Sequence, residues 1–249
     1  MTESIVNSKI IISADVEELA SHFARILKDD VNNSANFFNL VLSGGSTPGA
    51  VFDYLSSNYK TEIDWNKICF FWGDERCVPP DNKESNYLMT CEHLFSKVEI
   101  QEKNIFRIEG EREPESEAER YSGIISKNVP SVNNFPLFDL VMLGLGEDGH
   151  TASIFPDNLE LITKENLCEV TEHPISRQKR ITLTGKVINN SRKVIFLIMG
   201  NSKNKIVDTI INRKSGFDKL PASYINPING ELIWLLDKES GKGLSFASK

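Results

Sequence analysis

The chain has 249 residues, a formal charge of −7 from 28 Lys and Arg against 35 Asp and Glu, and a hydrophobic fraction of 40%. These proportions are those of an ordinary soluble globular protein and exclude collagen, coiled coil and a disordered chain. The acidic balance argues against a nucleic-acid or anionic-membrane surface, since both need clustered Lys and Arg; any anionic ligand must be gripped locally.

Six short apolar runs punctuate the sequence, at 9–12, 40–42, 68–72, 138–143, 194–199 and 232–236. None approaches the ~20 residues of a membrane helix. Runs without alternation suit strands buried on both faces, as in a parallel sheet covered by helices. After the first run, Asp15 and Glu18 resemble a capping box, and Val16, Leu19, Ala20, Phe23, Ile26 and Leu27 follow with helical spacing. Pro114 is placed to open another helix through Ala118, Tyr121, Ile124 and Ile125, and the acidic stretch Glu109 to Arg120 reads as a solvated loop and helix face. Strand, loop and helix repeated along the chain predict an α/β fold. We expect a three-layer, doubly wound, mainly parallel sheet, one domain over residues 1–249, with ligands in the crevice beyond the carboxyl ends of the strands.

Three strand ends carry chemistry. After the second run comes Ser43-Gly44-Gly45-Ser46-Thr47-Pro48. Glycines free backbone N–H groups to converge, Ser and Thr add hydroxyls, and Pro48 suits the first turn of a helix, so the segment reads as a phosphate cradle; the alternative is a plain strand-to-helix turn. After the third run, Gly73-Asp74-Glu75-Arg76 sets three charges directly behind a buried strand. Such charges are costly unless they face a solvated crevice, where Arg76 would hold an anionic or carbonyl oxygen; a salt-bridged loop is the other reading.

After the fourth run, Gly144, Gly146 and Gly149 satisfy G-x-G-x-x-G, and Glu169 follows at a distance that suits a dinucleotide site. Here, however, the motif is mid-chain, includes Asp148 and His150, and soon meets Pro156. The same glycines can instead expose His150 as a general base, with Asp148 fixing its tautomer. His22 and His93 read as helical or surface residues. The four histidines lack metal-binding spacing, so no metal is expected, and Cys69, Cys77, Cys91 and Cys168 form no C-x-x-C pair and read as free thiols. Among the later basic residues Arg177, Lys179, Arg180, Lys203 and Lys205, the candidates for holding a phosphate are Arg180 and Lys203, the latter just beyond a strand's carboxyl end. No G-x-S-x-G elbow is present, which counts against an α/β-hydrolase serine enzyme. The start Met1–Ser4 lacks the features of an export signal, so the cytoplasm is expected.

Taken in order, Ser43 to Pro48, Gly73-Asp74-Glu75-Arg76 with Val78-Pro79 and Ser85-Asn86, Gly144 to Pro156, Arg180-x-Thr182-Leu183-Thr184 and Pro221-Ala222-Ser223 resemble the 6-phosphogluconolactonase family. The resemblance implies a fold similar to glucosamine-6-phosphate deaminases and ribose-5-phosphate isomerases. It also implies hydrolysis of 6-phospho-glucono-1,5-lactone to 6-phosphogluconate without metal or organic cofactor, by a monomer or weak homodimer. On that basis Ser43, Gly44, Gly45, Ser46, Thr47, Asp74, Arg180 and Lys203 are expected to bind substrate, and His150, Asp148 and Arg76 to act on it. A sugar-phosphate isomerase or deaminase is the runner-up; the deaminase version of the His loop carries a glutamate just before its proline, where this chain has Phe155. A noncatalytic sugar-phosphate sensor and a nicotinamide-binding protein complete the alternatives.

Overall fold

All six apolar runs form strands, and all six join one parallel sheet. The computed structural model describes residues 8–244, so the Met1–Ser4 start and the last five residues lie outside it. The chain begins with β1 (Ser8–Ser13), α1 (Val16–Asn33), β2 (Phe38–Leu42), α2 (Ser46–Asn58) and β3 (Ile68–Trp72). A short strand β4 (Asp74–Arg76), helices α3 (Asn86–Thr90) and α4 (Pro114–Asn128) and the hairpin β5 (Ser131–Val132) and β6 (Phe135–Pro136) lead to β7 (Leu140–Leu143). Then come β8 (Cys168–Glu172), β9 (Lys179–Leu183), α5 (Gly185–Asn189), β10 (Lys193–Ile198), α6 (Asn204–Ile211) and β11 (Glu231–Asp237).

The main sheet has the order β1-β11-β10-β7-β2-β3. Every residue of β2 and β7 is buried, on both faces, which requires helices above and below and explains why those runs carry no alternation. α1 starts as its sequence suggests: Asp15 accepts the Glu18 N–H at 2.9 Å, while the Glu18 carboxylate reaches back to the Ala14 N–H. Pro114 opens α4.

The strand order contains a reversal. From β2 the chain steps outward to β3, and from β7 it steps the opposite way to β10 and then β11. The loops after the neighbouring strands β2 and β7 therefore diverge, and they leave a crevice at their carboxyl ends.

Two features were not expected from the sequence. The first is a three-stranded antiparallel sheet, β4-β9-β8, in which Asp74 lies opposite Thr182 and Arg76 opposite Arg180. It stands over the carboxyl end of the main sheet, where Gly73 accepts the Leu183 N–H. The second lies in the stretch 109–120, most of which is exposed or half-exposed as the sequence suggests, but which carries one buried charge. Glu117 is fully buried, accepts two bonds from Arg120 and the Glu109 N–H, and closes an ion network with Arg112, because α4 lays this face on the β8–β9 hairpin.

Candidate active site

A cavity of about 260 Å³ occupies the crevice. Its walls come from the ends of four main-sheet strands and from the small sheet: Ser43 to Pro48 after β2, Asp74 and Arg76 after β3, Gly144 to Gly146 and His150 after β7, Lys203 after β10, and Arg180 on β9. Every expected site residue lines this cavity except Asp148, which stands behind His150.

The Ser43–Thr47 segment acts through its backbone. Gly45, at φ 111°, is the N-cap of α2 and offers no side chain to the helix's first N–H groups, and no acidic residue lies in the first turn. These donors and the positive end of a 13-residue helix face the cavity.

The small sheet explains its own contents through the two-residue alternation of a strand. Asp74 and Arg76 share one face of the sheet with Thr182 and Arg180, and of these Asp74, Arg76 and Arg180 line the cavity, while Glu75 points the other way. The expectation that all three charges face a solvated crevice is thus corrected: Glu75 is buried away from the cavity, and Asp74 is buried at its wall. Asp74 Oδ2 accepts the Ser153 hydroxyl at 2.5 Å and lies 4.0 Å from Arg180 Nη1.

Like charges directly across a strand pair repel, yet Arg76 and Arg180 are cross-strand partners. The Arg76 guanidinium donates to the Glu84 carbonyl, but the Nε groups of both arginines are buried without a partner. Burial and Arg76 hold the Arg180 guanidinium below its usual pKa, against the opposing pull of Asp74. Lys203, carried on the turn that follows Gly200, adds a third cation and has no carboxylate partner among the described residues. Three cations thus meet one cavity-facing carboxylate, an excess that suits a dianionic ligand.

His150 comes from the loop closed by Gly146 N–H to the His150 carbonyl at 2.8 Å and by the Thr151 hydroxyl to the Gly144 carbonyl at 2.9 Å. Gly146 is needed here because a Cβ would collide with His150 Nδ1 and with Asp148. His150 Nδ1 and Asp148 Oδ1 are 2.6 Å apart. A carboxylate only accepts, so Nδ1 carries the hydrogen and Nε2 is left as the basic nitrogen. Burial pulls the Asp148 carboxyl up, but the hydrogen bonds and charge of His150 outweigh it, and the net position is below the usual carboxylate range.

Several residues stood in the sequence motifs without an assigned place in the site. Asn86 lines the cavity and donates its amide N–H to the Asp74 carbonyl at 2.8 Å. Phe155, almost fully buried, packs 4.9 Å from His150, 5.2 Å from His173 and 5.8 Å from the Arg180 guanidinium. An apolar ring therefore sits beside the imidazole. Ala152, at φ 47°, holds the tight turn from Thr151 to Ile154. Arg177 and Lys179 lie elsewhere, paired with Glu172 and Glu115, and Lys205 does not reach the cavity. The glycine motif opens no long helix: Pro156 starts a short 3-10 segment instead, so the dinucleotide geometry is absent from this loop. Among the described residues no group of three or more His, Cys, Asp and Glu side chains is arranged to hold a metal, and all four cysteines are free.

Residues 13–234 match the family model described as glucosamine-6-phosphate isomerases/6-phosphogluconolactonase. A 6-phosphogluconolactonase of Treponema pallidum (strain Nichols) is 38% identical over 202 residues, 81% of this chain and 79% of the relative. One from Haemophilus influenzae is 38% identical over 224 residues, 90% and 92% of the two chains. The solved structure of 6-phosphogluconolactonase from Trypanosoma brucei superposes with a TM-score of 0.84 at 28% identity, covering 96% of this chain and 99% of that one.

Proposed function

The chain belongs to the glucosamine-6-phosphate isomerase/6-phosphogluconolactonase family, and from that premise we propose that it is a 6-phosphogluconolactonase, hydrolysing 6-phospho-D-glucono-1,5-lactone to 6-phospho-D-gluconate in the oxidative pentose phosphate pathway. The observation that carries this reading is one cavity lined both by an excess of cations with helix N–H groups and by a carboxylate-oriented imidazole.

The phosphate is held by the Ser43–Thr47 loop, Arg180 and Lys203, which fixes the lactone so that C1 lies beside His150. Asp74 cannot help there, because one anion repels another; its carboxylate accepts sugar hydroxyls instead. His150 Nε2 takes a proton from water as the water oxygen bonds to C1, and Arg76 stabilises the oxyanion that forms. When the bond from C1 to the ring oxygen breaks, the imidazolium returns its proton to that oxygen, and the new carboxylic acid ionises to solvent. A lactone is already an activated ester, so no covalent nucleophile is needed. No helix among the described residues is long and apolar enough to cross a membrane, and we place the enzyme in the cytoplasm as one domain, acting as a monomer or weak homodimer without metal or organic cofactor.

The test is lactone disappearance in an assay coupled to glucose-6-phosphate oxidation, run beside ammonia release from glucosamine 6-phosphate. Turnover of the lactone well above its spontaneous hydrolysis is expected, with no ammonia. Ammonia release would move the chain to the deaminase branch, and ligand binding without turnover would make it a sensor.

A further inference from the structure

Glu75 is a buried ionisable group to which the mechanism gives no role. It is 2% exposed, faces away from the cavity and has no cation against it among the described residues, yet four donors converge on its carboxylate. Oε1 accepts the Arg76 N–H at 2.8 Å and the Asn86 N–H at 2.8 Å. Oε2 accepts the Ser85 hydroxyl at 3.0 Å and the Tyr87 N–H at 2.9 Å. A carboxylate stripped of water this completely is costly unless all its acceptor positions are filled, and here each oxygen has two donors.

The donors identify what the carboxylate connects. One belongs to Arg76 itself; the other three belong to the 85–87 segment, the start of α3. That segment is not an arbitrary neighbour. The residue just before it, Glu84, presents its carbonyl to the Arg76 guanidinium. Asn86 donates to the Asp74 carbonyl at 2.8 Å and lies so close over Gly44 that any Cβ at that position would collide with its amide. The path runs from Glu75 to the 84–87 segment, and from there both to the Arg76 guanidinium and to the glycines of the phosphate loop.

We propose that Glu75 is a positioning residue for the reaction: its buried carboxylate locks the 84–87 segment so that the Glu84 carbonyl aims the Arg76 guanidinium and Asn86 backs the Gly44–Gly45 loop. The inference rests on the lactonase reading, which assigns Arg76 to the oxyanion. Burial pushes the Glu75 carboxyl above its ordinary pKa, with the N–H groups of Asn86, Tyr87 and Arg76 opposing. Three of the four partners are backbone N–H groups that can only donate, and the Ser85 hydroxyl is the one partner that could accept a carboxyl proton.

The experiment is a double-mutant cycle in kcat/KM for the lactone on the full chain, with melting temperature recorded for each variant. In Glu75→Gln an amide NH2 replaces one acceptor and faces a donor; kcat/KM should fall about tenfold, mainly through kcat. In an Arg76→Ala background the same change should cost only about two- to threefold, because the guanidinium it aims is gone and only the Asn86–Gly44 contact still carries an effect. A full tenfold loss in both backgrounds would mean that Glu75 supports only the fold, and the proposal would be wrong. If Glu75→Gln does not fold, Ser85→Ala removes one of the four donors and is read through the same cycle, with a several-fold loss expected that shrinks beside Arg76→Ala. Should Arg76→Ala turn over too slowly to measure, the cycle is read in the affinity for 6-phosphogluconate by calorimetry, with the same criterion of non-additivity. Absence of lactone turnover in the unaltered chain takes down the functional reading and the proposal together, whereas an additive cycle with turnover intact takes down only the proposal.

Discussion

The two ends of the parallel sheet make an instructive pair. Both have a cavity lined by basic and acidic residues: about 260 Å³ at the carboxyl end and about 370 Å³ at the amino end. At the amino end the charges cancel. Lys193 meets Asp30 at 2.6 Å, and Arg192 meets Asp139 at 3.2 Å, while Asp139 also accepts the Asn39 N–H at 2.8 Å. At the carboxyl end Arg76 and Arg180 are set opposite one another with unpartnered Nε groups, and Lys203 faces the same space. Charge that the fold itself satisfies is structural; charge that the fold concentrates and leaves unsatisfied is waiting for a ligand. The contrast matters more than cavity size, since the larger cavity is the one with balanced charge.

The largest effect should come from the imidazole. His150→Asn keeps a polar side chain in the loop but has no nitrogen to take the water's proton, and kcat should drop by at least ~10²-fold with affinity for 6-phosphogluconate retained. A loss of only a few-fold would remove His150 as the base and reduce the carboxyl-end site to a binding pocket. Next is the cation excess itself. Arg180→Ala removes a charged donor from the phosphate end, so KM should rise about tenfold or more with kcat much less affected, as expected for one charge-assisted bond. An unchanged KM would show that the opposed arginines do not grip substrate. Lys203→Ala should raise KM less, by several-fold, because the lysine is a flexible point charge and not a planar fork.

How much of this was legible before the structure depends on which physical rule governs each residue. The six main strands show in the sequence because burial on both faces demands unbroken apolar runs. β4 and β9 do not, since Asp74-Glu75-Arg76 and Lys179-Arg180 carry charges that no strand rule favours. They are strands because they pair with one another across roughly a hundred residues of chain, and a pairing of that range leaves no local mark. The site followed the same division. His150 and Asp148 were legible because glycines around a polar pair after a strand have few other uses. Glu75 was misread as facing solvent, because its side follows from the alternation of a strand that was itself invisible. Asn86 stood in a quoted motif, but its place over Gly44 depends on a tertiary contact.

The smallest expected effect sharpens the comparison from the balanced end. Arg192→Ala should leave kcat and KM for the lactone unchanged, because its partner Asp139 lies at the amino end of β7 and His150 beyond its carboxyl end. It should cost stability at neutral pH, but no more than about 1 kcal/mol, since the guanidinium is mostly exposed and its attraction is screened. The pH dependence then identifies the cause. Burial raises the Asp139 carboxyl above its ordinary range, with the Asn39 N–H and Arg192 pulling it back down. The ion pair exists only while Asp139 is ionised, so the stability gap between wild type and variant is present above that raised value and closes as pH falls through it. Because the folded value lies above the unfolded one, the gap should close before ordinary carboxylates titrate. Urea unfolding of both proteins between neutral and mildly acidic pH measures this directly. A gap that persists unchanged into acid would mean that Arg192 contributes by packing, and a change in lactone turnover would mean that the two ends of the sheet are not independent.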